Sequence, residues 1–176
     1  MTVSTRYLPA TAAVAAVVMF AASPVLAGTD TVQAHGALTR YSDEVPQGAR
    51  ASVAATYDSR GDSRVRLRVW GLAPRTRYAA DVHERPCGAA AAEAGRHFQN
   101  VPGPADDRAF TNPGNQVWLD FRTDARGQGG SRGEVSWQFA PEGRPGSVII
   151  HVERTYAGIM APGIAGARLA CLTVGF

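Results

Sequence analysis

The segment Arg64-Val65-Arg66-Leu67-Arg68-Val69-Trp70 alternates charged and aliphatic side chains over its first six residues. A period of two belongs to a β-strand with one face in the core and the other in water. Val65, Leu67 and Val69 take the inner face, and three arginines take the outer one. Gly61-Asp62-Ser63 before the run and Gly71-Leu72-Ala73-Pro74 after it read as turns.

Weaker copies of the same pattern recur. Tyr78, Ala80 and Val82 alternate with Ala79, Asp81 and His83. Val117, Leu119 and Phe121 alternate with Trp118 and Asp120, and Val135, Trp137 and Phe139 repeat the motif. Ser147 to Val152 is apolar and β-branched, Arg168 to Phe176 reads as a last strand, and Ala51 to Tyr57 as a weaker early one. After residue 27 no stretch sustains a helical period with caps, and there is no internal repeat. Short strands with frequent turns specify an all-β fold, an antiparallel sandwich or barrel. One segment breaks the rhythm: the 33 residues from Glu84 to Gln116 lack strand periodicity. A loop of that length in a compact domain usually carries function or is disordered.

The N-terminus has its own logic. Arg6 precedes the small, apolar run Ala10–Ala22, and Val25-Leu26-Ala27 fits a signal-peptidase site. The run is too short to span a bilayer. Residues 1–27 are therefore expected to be a signal peptide and 28–176 a single secreted domain, with no membrane contact after processing. Cleavage after Ala34 is an alternative that would leave His35 as an N-terminal copper chelator. In an exported chain, the two cysteines Cys87 and Cys171 favour one disulfide over two buried thiols. The cross-link closes a loop of about 84 residues, worth at most ~4–5 kcal/mol. All 18 basic residues are arginine, and the formal charge is +3. They are spread along the chain, which argues against a nucleic-acid partner. The mild positive field suits a small anion.

There are four histidines: His35, His83, His97 and His151. Taken singly, each reads more readily as a structural residue than as a ligand. Their neighbours change that reading. Val69-Trp70-Gly71-Leu72-Ala73-Pro74 with Val82-His83-Glu84 and Cys87, then Gly95-Arg96-His97-Phe98, then Ser147-Val148-Ile149-Ile150-His151, then Gly166-Ala167-Arg168-Leu169-Ala170-Cys171 occur in that order. Together they resemble the copper/zinc superoxide dismutase family over roughly residues 31–176.

The resemblance implies an eight-stranded Greek-key barrel, with a metal site outside it under the long loop and a Cys87–Cys171 disulfide. It implies copper bound by His83, His97 and His151, and Arg168 as the residue that attracts superoxide; a surface arginine is the plain alternative. His97 takes the bridging position and is a candidate proton donor.

Two departures bear on activity. Where the family has a fourth copper histidine, this chain has Asp81. As residue i−2 to His83 it shares a strand face with it, so it either completes the shell or meets an arginine or water. A carboxylate donor would favour the cupric over the cuprous ion. The family's zinc ligands are also missing: Ala109 and Asn112 stand at two of their positions, and Asp106 and Asp107 read as loop surface. Zinc is not expected. Three functions stay open: a copper-dependent dismutase, a non-enzymatic copper-binding protein, and a metal-free sandwich acting as a binding module.

Overall fold

The computed structural model describes residues 1–2, 30–152 and 166–176. The expected leader beyond residue 2, with its cleavage point at Ala27, lies outside the described residues. Among these, nine strands follow in order: β1 Asp30–Ala37, β2 Thr39–Arg40, β3 Arg50–Tyr57, β4 Ser63–Trp70, β5 Arg77–His83, β6 Phe121–Arg122, β7 Gly129–Val135, β8 Ser147–His151 and β9 Arg168–Thr173.

They form two antiparallel sheets. One has the order β1-β3-β4-β7 and the other β2-β9-β8-β5-β6. The chain crosses between layers after β4, and β7 crosses back to pair with β4. The architecture is a β-sandwich with open edges, so the barrel expected from the resemblance is not closed. Val53, Val65, Leu67 and Val69 of the first sheet meet Ala80, Val82, Val148 and Ile150 of the second in one core. The alternation of β4 is realised in full, with every second residue buried.

Two expected strands behave differently. Residues 117–121 keep their alternating burial, yet only Phe121–Arg122 is a strand, and Trp118 makes a single bridge to Asp81. Here the backbone follows the edge of β5 through Leu119 N–H to Ala80 O at 2.7 Å without a continuous ladder. The ladder of β7 lies N-terminal to the expected Val135–Phe139 run, in a glycine-rich polar segment that shows no hydrophobic pattern. Its glycines have a packing reason. A Cβ on Gly129 would lie 2.9 Å from the Phe121 ring, and one on Gly133 3.0 Å from Val117. Glycine lets β7 press against the 117–121 segment. Strand β1 is likewise unannounced, because its inward positions are the modest Val32, Ala34 and Gly36.

The fold places His35 apart from the other histidines. It lies in mid-β1 opposite Ser52, is exposed, and belongs to the four-stranded sheet, away from the other three histidines. Cleavage after Ala34 would remove the first five residues of that ladder.

Cys87 and Cys171 form a disulfide with Cα atoms 5.8 Å apart. It ties the start of the long loop to β9 beside Ala94 and Ile149, which form a small second cluster on the outer face of the five-stranded sheet. Replacing both cysteines by serine is expected to lower stability by about 2–5 kcal/mol, measured by urea unfolding. An unchanged midpoint would mean the loop is held by its hydrogen bonds alone.

Candidate metal centre

The site is built on the pleat of β5. Tyr78, Ala80 and Val82 face the core, which sends Asp81 and His83 to the outer face. On neighbouring β8, His151 pairs with Ala79 and so shares that outer face. A register shift between Ile150 and His151 sets His151 opposite Arg168 of β9; such a bulge re-aims the side chains around it. An outer face would ordinarily be wet. Here the long loop covers it, and residues 78–83 of β5 are buried without interruption.

Backbone bonds pin that cover. Glu84 N–H donates to Arg96 O at 3.1 Å, Arg85 N–H to Ala94 O at 3.0 Å and Phe98 N–H to Val82 O at 2.8 Å. His97 is thereby bridged directly to His83. Their ring centroids lie 4.8 Å apart, with His151 5.6 Å from His83 and 5.7 Å from His97. One ligand atom from each of the three histidines falls within 4.8 Å of the other two.

Hydrogen bonds orient two of these rings. His83 Nδ1 faces Gly95 O at 3.2 Å, and His151 Nδ1 faces Gly166 O at 2.8 Å. A carbonyl can only accept, so Nδ1 carries the proton in each ring and Nε2 carries the lone pair. Both Nε2 atoms are buried and make no hydrogen bond. Buried polar atoms are normally satisfied, and a carbonyl behind a histidine is the usual outer support of a metal ligand. The residues therefore fit a metal ion. Gln116 lies close enough to His97 to hydrogen-bond its ring and is itself held by the Trp118 indole N–H at 2.8 Å.

Burial pushes all three histidines down from the ordinary 6.5, His83 to about 2 and His97 and His151 to about 4. They are neutral donors at physiological pH. Asp81 is only 1% exposed. Its Oδ2 stands 3.8 Å from His97 Nε2 and 3.7 Å from His151 Nε2. It thus flanks the cluster and does not face water.

Arg168 is held by two carbonyls, donating to Ala91 O and Gly95 O at 2.6 Å each. Gly95 O thus serves both His83 and Arg168. Arg168 and His97 share a cavity of about 200 Å³ with Arg96, Gln99, Thr111 and Gln116. The supporting groups Gly95 O, Gly166 O and Gln116 were not singled out from sequence. A backbone carbonyl leaves no mark there beyond the glycine in Gly95-Arg96-His97.

The loop's own amide side chains are engaged in hydrogen bonds within it. Among the described residues the three histidines are the one cluster able to hold a metal. Asn112 caps its own turn, donating to Arg108 O and Ala109 O and accepting from Gly114 N–H. Asn115 ties Val101 and Phe110 together, accepting from Val101 N–H at 2.7 Å and donating to both carbonyls. Amide side chains thus perform the cross-linking within this loop.

No protein-family model matches the chain, and no curated protein matches it. Solved structures do. One is the crystal structure of the clock protein EA4, at 19% identity and TM-score 0.56, covering 82% of this chain and 92% of that one. Another is a double mutant of a SOD-like protein from Bacillus subtilis, at 15% identity and TM-score 0.56, covering 80% and 95%. The fold is therefore superoxide dismutase-like. The protein is a β-sandwich of that type carrying a three-histidine cluster able to hold a metal ion.

The buried neutral histidines link stability to pH. Between the folded values and 6.5 the unfolded chain binds more protons, so stability rises with pH across that window and is lost on acidification. Taking chelator-treated protein from pH 7.5 to 5 is expected to cost on the order of 1–2 kcal/mol per histidine. Urea midpoints at the two pH values measure it, and a flat profile would contradict burial of the neutral rings.

Proposed function

We infer that the chain is an exported copper protein that dismutes superoxide, converting two superoxide ions and two protons to dioxygen and hydrogen peroxide. The carrying observation is the convergence of the unsatisfied Nε2 atoms of His83 and His151 with His97, beside a guanidinium held on two carbonyls. Imidazole donors suit copper, and the resemblance to the dismutase family points the same way. Copper held by His83, His97 and His151 would supply the one-electron couple that the reaction needs.

The chain's own groups do the rest. Arg168 spends two of its five N–H donors on Ala91 O and Gly95 O, leaving others for a small anion in the cavity. Among the described residues no carboxylate neutralises it, so its charge draws anions inward. The cavity beside His97 admits water, which supplies protons. Export is supported by the leader motif and by the disulfide, which suits an oxidising compartment. Among the described residues no helix is long and apolar enough to cross a membrane.

Asp81 favours a second reading, copper storage or delivery without turnover. A buried carboxylate beside His97 and His151 would stabilise the cupric state and slow a cycle that must pass through both states.

Metal analysis, cupric EPR and stopped-flow superoxide decay separate the readings. One copper per chain with decay faster than free copper supports the dismutase; stoichiometric copper without turnover supports storage. His97→Ala and His151→Ala are expected to lose copper, and metal content unchanged by both would exclude a metal centre here. Asp81→His should raise turnover and add nitrogen hyperfine structure. Arg168→Ala should lower kcat/KM on the order of tenfold and flatten its dependence on ionic strength.

A further inference from the structure

The outer face of the four-stranded sheet, in the opposite layer from the histidines, gathers a second set of groups. Strand register sets Arg66 of β4 between Ala54 and Arg132, and Arg68 between Ser52 and Gly130. Arg66, Arg68 and Arg132 are all exposed. Arg66 and Arg68 are about 7 Å apart along the strand, and Arg132 stands about 5 Å across the ladder from Arg66. Their neighbours are small, and Gly129 and Gly130 carry no side chain. A shallow groove of about 580 Å³ results, walled by the three arginines and Trp70.

Trp70 is 38% exposed at the end of this groove. Among the described residues neither Arg66 nor Arg68 makes an ion pair, while Arg132 shares Glu134 with Arg64. Uncompensated like charges beside an exposed indole are unfavourable for folding alone and are suited to an anionic ligand.

Three occupants compete. A second copy is disfavoured, because a two-fold contact would set these arginines against themselves. A nucleic acid needs a longer basic track. Towards Arg64 the same face meets Asp58, Asp62 and Glu134, which line a neighbouring depression, so the basic stretch ends within one strand length, about 20 Å. An acidic polysaccharide fits best. Planar guanidinium forks match carboxylate or sulfate groups, and an indole offers a flat amphipathic surface for a sugar ring.

We propose that this groove binds an acidic polysaccharide, with Arg66 and Arg68 on its carboxylate or sulfate groups, Arg132 bordering the groove, and Trp70 against a sugar ring. The site is independent of the metal centre.

The test is titration of the disulfide-bonded protein with polygalacturonate and with heparin, with neutral dextran and single-stranded DNA as comparators. Both acidic polysaccharides should bind in a salt-dependent manner, and dextran should not. Arg66→Ser/Arg68→Ser should weaken binding at least tenfold. The charge-matched Arg77→Ser/Arg122→Ser, on the other sheet, should change it less than twofold. Trp70→Ser should weaken binding at least threefold with the salt dependence retained. Thermal unfolding verifies that each variant is folded. The proposal is overturned by absence of binding, by equal losses in the two double variants, by tighter binding of DNA than of either polysaccharide, or by a dimer that Arg66→Ser/Arg68→Ser dissolves.

Discussion

The pleat of β5 sends Tyr78, Ala80 and Val82 into the sandwich and Asp81 and His83 to its far side, where solvent would ordinarily meet them. A loop lies there, bonded along β5 beyond its short pairing with β6 and anchored at its start by the Cys87–Cys171 disulfide. The strand is therefore buried on both faces. That double burial keeps His83, His97 and His151 neutral, removes water from Asp81, and leaves two imidazole nitrogens with no protein partner. Each property of the cluster follows from covering an outer sheet face that a simple sandwich would leave open.

Neutrality has a cost that the surrounding carbonyls partly offset. Gly95 O and Gly166 O accept the Nδ1 protons and so present Nε2 lone pairs to a common point. Gly95 O also receives Arg168, which couples the position of that guanidinium to the orientation of the His83 ring. The loop that supplies Gly95 is cross-linked by amides, through the side chains of Asn115 and Asn112. The loop is thereby ordered by its own side chains while it holds His97 beside His83 and His151.

Much of this was legible in the residues. The alternation of β4, the strand residues 78–83 and 147–151, the long irregular loop and the cysteine pair all follow from period and composition. The glycine-rich β7 and the small-residue β1 were not legible. Their pairing is decided by β4 and β3 beside them, and their glycines are explained only by what a Cβ would strike. The alternation at 117–121 marks burial without a full strand, because period reports which side faces the core and not whether a ladder forms.

The same division holds for function. Sequence alone determined that three histidines, an aspartate in place of a fourth, an arginine and two cysteines lie in a β-sandwich with an expected leader. Residue type and local period suffice for the strands, the long loop and the cysteine pair, since both are properties of neighbours along the chain; the grouping of the histidines with Arg168, and Asp81 in place of a fourth histidine, rest on the resemblance to the dismutase family. Tertiary structure decided that residues as distant as His83, His97 and His151 converge, that Asp81 flanks them away from water, and that arginines from β4 and β7 share one groove. These depend on strand register and on loop burial, which arise from contacts between segments that no local pattern encodes.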